Sequence, residues 1–328
     1  MSPEKAFTWR RERDEPFGLD FIVLCGPGEN GADLEAWIAP GCGSNLCRLK
    51  HGGESIIDFE GEVLANREYS GAPVLYPTPN RVRSGIFKYR GKLYNQVKRG
   101  EPVFEHGLVH DEAWRHSEPV VHNGAVVMET WIDFEPGSPL FESFPFPHRL
   151  GLSFRLDARG VSVSYSIRND GPDAVPYGFG IHPYFMKLCG EDGTSILVPA
   201  SSLMDYTSDL LPTGRLIETK GTQFDLREPV PIGSLDLDHV FTDMLPGDCA
   251  EVRYPAKGIK VALHATADFS HIVVYSPRGK GYFCIENQTC STDAHNLHDR
   301  GFTHASGLKT AEPGQATGGT VEYRIERL

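Results

Sequence analysis

Two polar side chains set into apolar extended runs are the first candidates for chemistry. One is His182 in YGFGIHPYF, residues 177–185, and the other is Glu286 in GYFCIEN, residues 281–287. Read with a period of two, Gly178, Gly180, His182 and Tyr184 share one strand face, while Tyr177, Phe179 and Ile181 share the other. Glycines in a strand leave room for a ligand or another backbone to approach, and Pro183 biases His182 towards an extended conformation. The same alternation groups Glu286 with Tyr282 and Cys284, so the carboxylate has apolar neighbours whichever face is buried. Desolvation there would raise its pKa towards that of a usable general base. The structural alternatives are a buried histidine satisfied by a carbonyl and a strand-end carboxylate reaching solvent past Asn287.

Three further stretches carry polar groups beside apolar runs. His106 in EHGLVHDEAW lies in a loop rich in ionisable groups, where it is either a ligand contact or a surface histidine. Asp238 in LDLDHVF stands where a loop turns into a strand, as a ligand contact or a turn carboxylate. Asn80 and Arg81 in YPTPNRVRSGIF open another strand, and the guanidinium can donate to ligand hydroxyls or to a neighbouring carboxylate. Arg81, Arg83, Lys88, Arg90 and Lys92 form a local basic stretch, which is either a solvated strand face or a grip for phosphate. Among the 13 histidines, only His295 with His298 and His106 with His110 have close ligand-like spacing, and neither pair has a cysteine nearby. No metal site is expected. The sequence has no GxGxxG opening a helix, no GxxxxGK[ST], no HExxH and no GxSxG, so nucleotide, zinc-protease and serine-hydrolase readings lose support.

The elements that must position these groups read as strands almost throughout. From residue 19 onward, short apolar or alternating runs are broken by Gly, Pro, Asn and Asp, and helical periodicity is nearly absent. The segment VRSGIFKYRGKLY reads as a hairpin turning at Arg90 and Gly91. In LGLSFRLDARGVSVSYSIRN two long strands flank a turn at residues 158–160, with Val161, Val163, Tyr165 and Ile167 facing a core and Ser162, Ser164 and Ser166 facing solvent. So many strands without a linker, repeat or composition shift predict a single domain over residues 1–328, built as a large antiparallel β-sandwich.

Composition narrows the partners. A formal net charge of −12 and a pI near 5.5 argue against a sequence-independent grip on nucleic acid or an anionic membrane. The charged N-terminus, MSPEKAFTWRRERDEPFG, lacks a signal-peptide core, and no apolar run approaches the roughly 18 residues of a membrane span. Seven cysteines leave at least one unpaired and form no CxxC framework, so reduced thiols in a cytoplasmic protein are expected.

The pieces PNR at 79–81, HG at 106 with Trp114 following, GIHPYF at 180–185, LDHVF at 237–241 and CIEN at 284–287 occur in an order that resembles the aldose 1-epimerase (mutarotase) family. FPFPHRL at 144–150, TDAHNL at 292–297 and the late GLKTAEPGQ extend the resemblance over residues 60 to 320. It implies a galactose mutarotase-like supersandwich, a sugar substrate and no organic cofactor. It also implies that Glu286 is the general base and His182 the general acid, with Asn80, Arg81, His106 and Asp238 binding sugar hydroxyls. The expected activity is interconversion of the α and β anomers of an aldohexose or hexose phosphate, by a monomer or homodimer. A non-catalytic carbohydrate-binding or sugar-sensing module is the alternative. Two departures bear on specificity: HGL stands at 106–108 where galactose-type members read HGG, and VVY at 273–275 replaces a glutamine carried by those members. The likeness is nearer the bacterial branch that includes hexose-6-phosphate epimerases.

Overall fold

The computed structural model of the chain describes residues 6–29 and 31–328; the opening MSPEK of the charged N-terminal stretch lies outside the described residues. Two large sheets dominate, and every pairing between named strands is antiparallel. The larger begins with five strands in chain order, Thr8–Asp14, Leu19–Pro27, Asp33–Ala39, Asn45–His51 and Glu54–Ile57. It continues through Tyr184–Met186, Tyr282–Gln288, His271–Tyr275, Asp238–Met244, Ala200–Tyr206 and Pro212–Glu218. The second runs from Arg115–His116 through Ala125–Phe134, His148–Asp157, Gly160–Asn169, Ala316–Arg327, Ile259–Ala265 and Ala250–Tyr254 to Ser195–Leu197 and Val230–Pro231. One continuous cluster of buried side chains, from Ile22 and Leu24 to Tyr323 and Ile325, draws on both sheets, which makes the architecture a β-sandwich.

Alternation decides which side of each strand enters that core. Val161, Val163, Tyr165 and Ile167 are buried, while Ser162 and Ser164 are half-buried and Ser166 is exposed. The strand pair around residues 158–160 is Asp157 opposite Gly160. The hairpin Ile86–Tyr89 and Lys92–Asn95 turns at Arg90, φ 47°, and Gly91, φ 80°. Two left-handed residues in succession are what a two-residue turn of right-handed twist requires. A short helix, Gly61–Ala65, follows the fifth strand of the larger sheet. Among the described residues no helix is long and apolar enough to cross a membrane. All seven cysteines are free thiols.

Candidate functional site

Sheet register brings the two leading candidates together. Tyr184 pairs with Cys284 and Gly180 with Gln288, so His182 falls opposite Glu286, which in turn pairs with Val273 on its other side. The run 177–185 is not one strand: pairing lapses at His182 and Pro183, between Gly180–Ile181 and Tyr184–Met186. Proline has no N–H for a ladder, and the His182 N–H donates instead to the Pro73 carbonyl at 3.1 Å. The consequence is an imidazole Nε2 lying 3.2 Å from Glu286 Oε1. Gln288, two residues along the same face, donates Nε2 to the other carboxylate oxygen at 2.9 Å. Tyr184 stacks its ring on His182 with centroids 5.0 Å apart.

The next strands of the sheet extend this floor. Cys284 pairs with Tyr275 and Tyr275 with Asp238, so Tyr184, Cys284, Tyr275 and Asp238 form one row across four strands, beside the row of Glu286, Val273 and Val240. Directly paired residues of an antiparallel sheet share a face, so Asp238 and Glu286 stand on the same side.

Two loops roof the floor, and each carries a non-glycine residue in the left-handed region. Asn80 has φ 59° and His106 φ 60°. Their backbones are tied by the His106 N–H donating to the Asn80 carbonyl at 2.9 Å, with Arg81 bridging Glu105 beside them. The Asn80 N–H donates to His106 Nδ1 at 3.3 Å, which leaves Nε2 as the nitrogen that carries hydrogen in the neutral ring. Asn80 Oδ1 accepts from the Arg81 N–H at 2.8 Å, and Arg81 Nη2 lies 3.3 Å from Asp238 Oδ2 and 3.5 Å from Glu105 Oε1. At Gly107, φ 74°, a Cβ would lie 2.2 Å from the Tyr76 carbonyl oxygen, so the loop holding His106 is pressed against backbone.

Burial sets the electrostatics. Glu286 is 2% exposed, and desolvation pushes its carboxyl well above the ordinary range, with Gln288 opposing and Asp238 and Glu105 reinforcing. Desolvation pulls His182 down to about 4. His106 is also driven well below its usual value, by burial first and by the neighbouring His182, His110 and Arg81 next. Glu105 is raised by burial and by Asp238, against the pull of Arg81. The site therefore offers a carboxyl group and an imidazole that both resist charge, in contact with each other, beside a guanidinium held between two carboxylates.

The six residues singled out from sequence, Glu286, His182, Asn80, Arg81, His106 and Asp238, are brought to one place, linked by the contacts above and by the edge-on packing of His106 against His182. Two of the structural alternatives fail, and one expectation with them. His106 is 7% exposed rather than a surface side chain, and Glu286 does not reach solvent past Asn287, because both are 2% exposed. The room expected over Gly178 and Gly180 is filled by the chain itself: a Cβ on Gly178 would meet Cys290 Sγ at 2.2 Å and Pro79 Cδ at 2.6 Å, and one on Gly180 would meet Gln288 Cγ at 3.0 Å. The basic stretch is largely answered by carboxylates, with Lys88 2.9 Å from Asp299 and Arg83 3.9 Å from Asp293, while Arg90 lies over the ring of Tyr89. His295 is committed to the Pro176 carbonyl, and His106 and His110 both pack on Tyr69. Leu108, the departure from HGG, is a fully buried core residue, so its side chain packs in the sandwich.

Sequence reading missed Glu105, Gln288 and Tyr69. Gln288 was within reach, since it stands at i+2 from Glu286 and so on its face. Glu105 adjoins His106 but has no pattern of its own, and nothing local points to Tyr69.

Residues 29–324 match the family model of aldose 1-epimerase. The chain is 28% identical over 227 residues to galactose mutarotase of Pongo abelii and equally to that of Homo sapiens, covering 64% of this chain and 63% of theirs. It thus spans less than two thirds of the length of these relatives. Escherichia coli K12 protein YphB is 25% identical over 261 residues, 77% of this chain and 83% of that one. A solved galactose mutarotase-like protein from Clostridium acetobutylicum superposes with a TM-score of 0.85 over 98% of this chain and 99% of its own, at 24% identity, a likeness of fold.

Proposed function

The chain belongs to the aldose 1-epimerase family, and from that premise we propose that it interconverts the α and β anomers of an aldohexose by acid and base catalysis at Glu286 and His182. Opening a hemiacetal removes the proton from O1 and delivers one to O5. Both oxygens are bonded to C1, so an acid and a base that lie close together can reach both. The observation that carries the reading is the buried contact of 3.2 Å between Glu286 Oε1 and His182 Nε2.

The proton count balances within the pair. The transfer starts from the charged form of the pair, which burial makes the scarcer one: Glu286 as carboxylate takes the O1 proton as His182 as imidazolium gives its own to O5. The open-chain aldehyde then faces a carboxylic acid and a neutral imidazole. Rotation about C1–C2 presents the other carbonyl face, and the same steps in reverse close the opposite anomer. Burial favours the uncharged pair, which makes the carboxylate a stronger base and the imidazolium a stronger acid. Each transfer contributes about 10²- to 10⁴-fold.

Asn80, Arg81, His106 and Asp238 are the hydroxyl-binding groups of this reading. His106 Nε2–H and the Arg81 fork donate; Asp238 accepts. The Arg81 guanidinium is held between two carboxylates, Glu105 and Asp238, and Glu286 feels its charge from further off, an arrangement that supports a neutral aldohexose over a phosphorylated one. The test is exchange spectroscopy or polarimetry on freshly dissolved α-glucose and α-galactose. Acceleration is expected, and no acceleration for any aldose would leave a sugar-binding module in its place.

A further inference from the structure

The stretch TDAHNL, residues 292–297, has no part in the reaction above, yet its polar side chains hold segments that carry the site. It follows the Glu286 strand, which ends at Gln288, and opens a short helix, Ala294–Asp299. Thr292 Oγ1 lies 3.3 Å from the Tyr206 hydroxyl, and His295 Nε2 donates to the Pro176 carbonyl at 3.1 Å. Asn296 bonds the backbone of the 86–95 hairpin, donating to the Ile86 carbonyl at 2.9 Å and accepting from the Lys88 N–H at 3.1 Å.

Asp293 is the member that reaches Arg81. Its N–H donates to the Arg81 carbonyl at 2.8 Å, and its Oδ1 accepts from the Arg83 N–H at 3.1 Å. Between these two contacts the Val82 N–H donates to the Phe104 carbonyl at 2.7 Å. The peptide plane that follows Arg81 is therefore held at both its oxygen and its nitrogen. The Arg81 N–H is taken by Asn80 Oδ1, so the backbone is fixed on both sides of the Arg81 Cα and the side chain leaves in a set direction.

Helix capping does not account for this carboxylate. Asp293 stands at the N-cap position with φ 53°, but its side chain makes no cap hydrogen bond. It accepts instead from Arg83 and, at 2.6 Å, from the side chain of Asn296. The carboxylate is fully buried; Oδ2 has no hydrogen-bond partner among the described residues, and Arg83 Nε is 3.9 Å away. Burying a carboxylate with one oxygen unanswered costs stability, a cost that no cap interaction offsets.

Resting on the reading of Arg81 as a hydroxyl-binding group, we propose that Asp293 is a positioning residue for sugar binding: its N–H and carboxylate fix the Arg81–Arg83 backbone so that the guanidinium stands between Glu105 and Asp238 before the sugar arrives. Preorganisation of this kind lowers the ordering cost of binding. The contact of Glu286 with His182 is built by sheet pairing and not through Asp293, so the effect falls on affinity rather than on turnover.

Asp293→Gly removes the carboxylate but keeps the N–H and the left-handed backbone, which glycine adopts freely. Asp293→Asn keeps an acceptor oxygen. Calorimetry and NMR anomer exchange with glucose and galactose read the effect, with urea unfolding to show that each variant folds. For Asp293→Gly, Kd and KM are expected to rise about tenfold or more, as misplacement of a binding group does, while kcat stays within about threefold of wild type. Asp293→Asn should restore most of the affinity. In an Arg81→Ala background the Asp293→Gly substitution should change Kd no further, because a residue that acts through another is not additive with it. A merely structural carboxylate would lower the urea midpoint without the split between KM and kcat, and would add to the Arg81→Ala loss. Wild-type affinity in folded Asp293→Gly overturns the proposal, as does additivity with Arg81→Ala. If Asp293→Gly does not fold, Asn296→Ala decides, since it frees the same carboxylate oxygen: a rise in Kd that vanishes in the Arg81→Ala background supports the proposal, and an unchanged Kd overturns it. Unchanged affinity in Arg81→Ala alone would remove Arg81 from the binding set and the proposal with it. Failure of the anomer-exchange reading is distinct: it appears as no exchange of any aldose, while the affinities still report on Asp293.

Discussion

Nε2 of His182 and Oε1 of Glu286 are 3.2 Å apart, and the other oxygen of that carboxylate is held by Gln288 at 2.9 Å. One oxygen is thus fixed and the other faces the acid. Glu286→Gln keeps the volume and an acceptor but is a very poor base, so kcat should fall about 10²- to 10⁴-fold while sugar affinity is largely kept. His182→Asn should lose kcat in the same manner. Because both act in one transition state, the double variant should be far less damaged than the product of the single losses. Exchange NMR with calorimetry measures both quantities. Near-normal exchange by Glu286→Gln would exclude this carboxylate as the base.

Acid should weaken the fold. His110, His148, His182, His271 and His295 are each pulled to about 4 by burial. An imidazole whose folded pKa lies below its unfolded value of about 6.5 binds fewer protons folded than unfolded. Stability therefore drops as pH falls from about 6.5 towards 4, by at most about 1.4 kcal/mol per pH unit for each such histidine. Glu286, Glu105 and Asp293, whose pKa values are raised, act in the opposite sense but are fewer. Urea midpoints should be lower at about pH 5.5 than at about pH 7.5; an equal or higher midpoint at the acid value would contradict this.

Phosphate should confer no advantage through the basic stretch. Arg83 and Lys88 face Asp293 and Asp299. Arg83→Ala should then change KM for glucose 6-phosphate and for glucose by similar factors, within about threefold of each other, and added salt should not separate the two substrates. A KM rise confined to the phosphorylated sugar would restore the phosphate grip.

Gly107→Ala should be costly for two reasons that can be separated. Its φ of 74° disfavours any side chain, and its Cβ would strike the Tyr76 carbonyl and the Pro77 nitrogen. Gly124, φ 68°, has nothing within 4 Å and shares only the first handicap. Urea unfolding should show Gly107→Ala losing about 1–3 kcal/mol more than Gly124→Ala. KM should rise only for the former, because the adjoining His106 is displaced. Equal losses would mean that the loop yields at no cost to the site.

The sandwich was legible because alternation is a local signal: Val161 to Ile167 show it within seven residues. The faces of His182 and Glu286 were legible for the same reason. Their contact was not, since it depends on the pairing of Tyr184 with Cys284 and Gly180 with Gln288, a hundred positions apart in the chain. Likewise, open space over Gly178 is a fair inference from a missing side chain, but Cys290 and Pro79 fill it from elsewhere. The left-handed backbone at Asn80 and His106 has no local pattern either, because it is imposed by the tie between the two loops. Arg81 and its partner Asp238 show the same limit, with their types readable and their meeting not.

The row of Tyr184, Cys284, Tyr275 and Asp238 makes the molecule tolerant of added length in some places and intolerant in others. An extra residue inside Tyr282–Gln288 would turn every later side chain of that strand to the opposite face, sending Glu286 into the sandwich and Ile285 towards His182. Extra residues near Gly221 or Gly247, where a Cβ would meet nothing, leave that row in phase. A library of single-codon insertions should therefore keep folding at such turns and lose it inside the strands of both sheets, the four strands of that row among them.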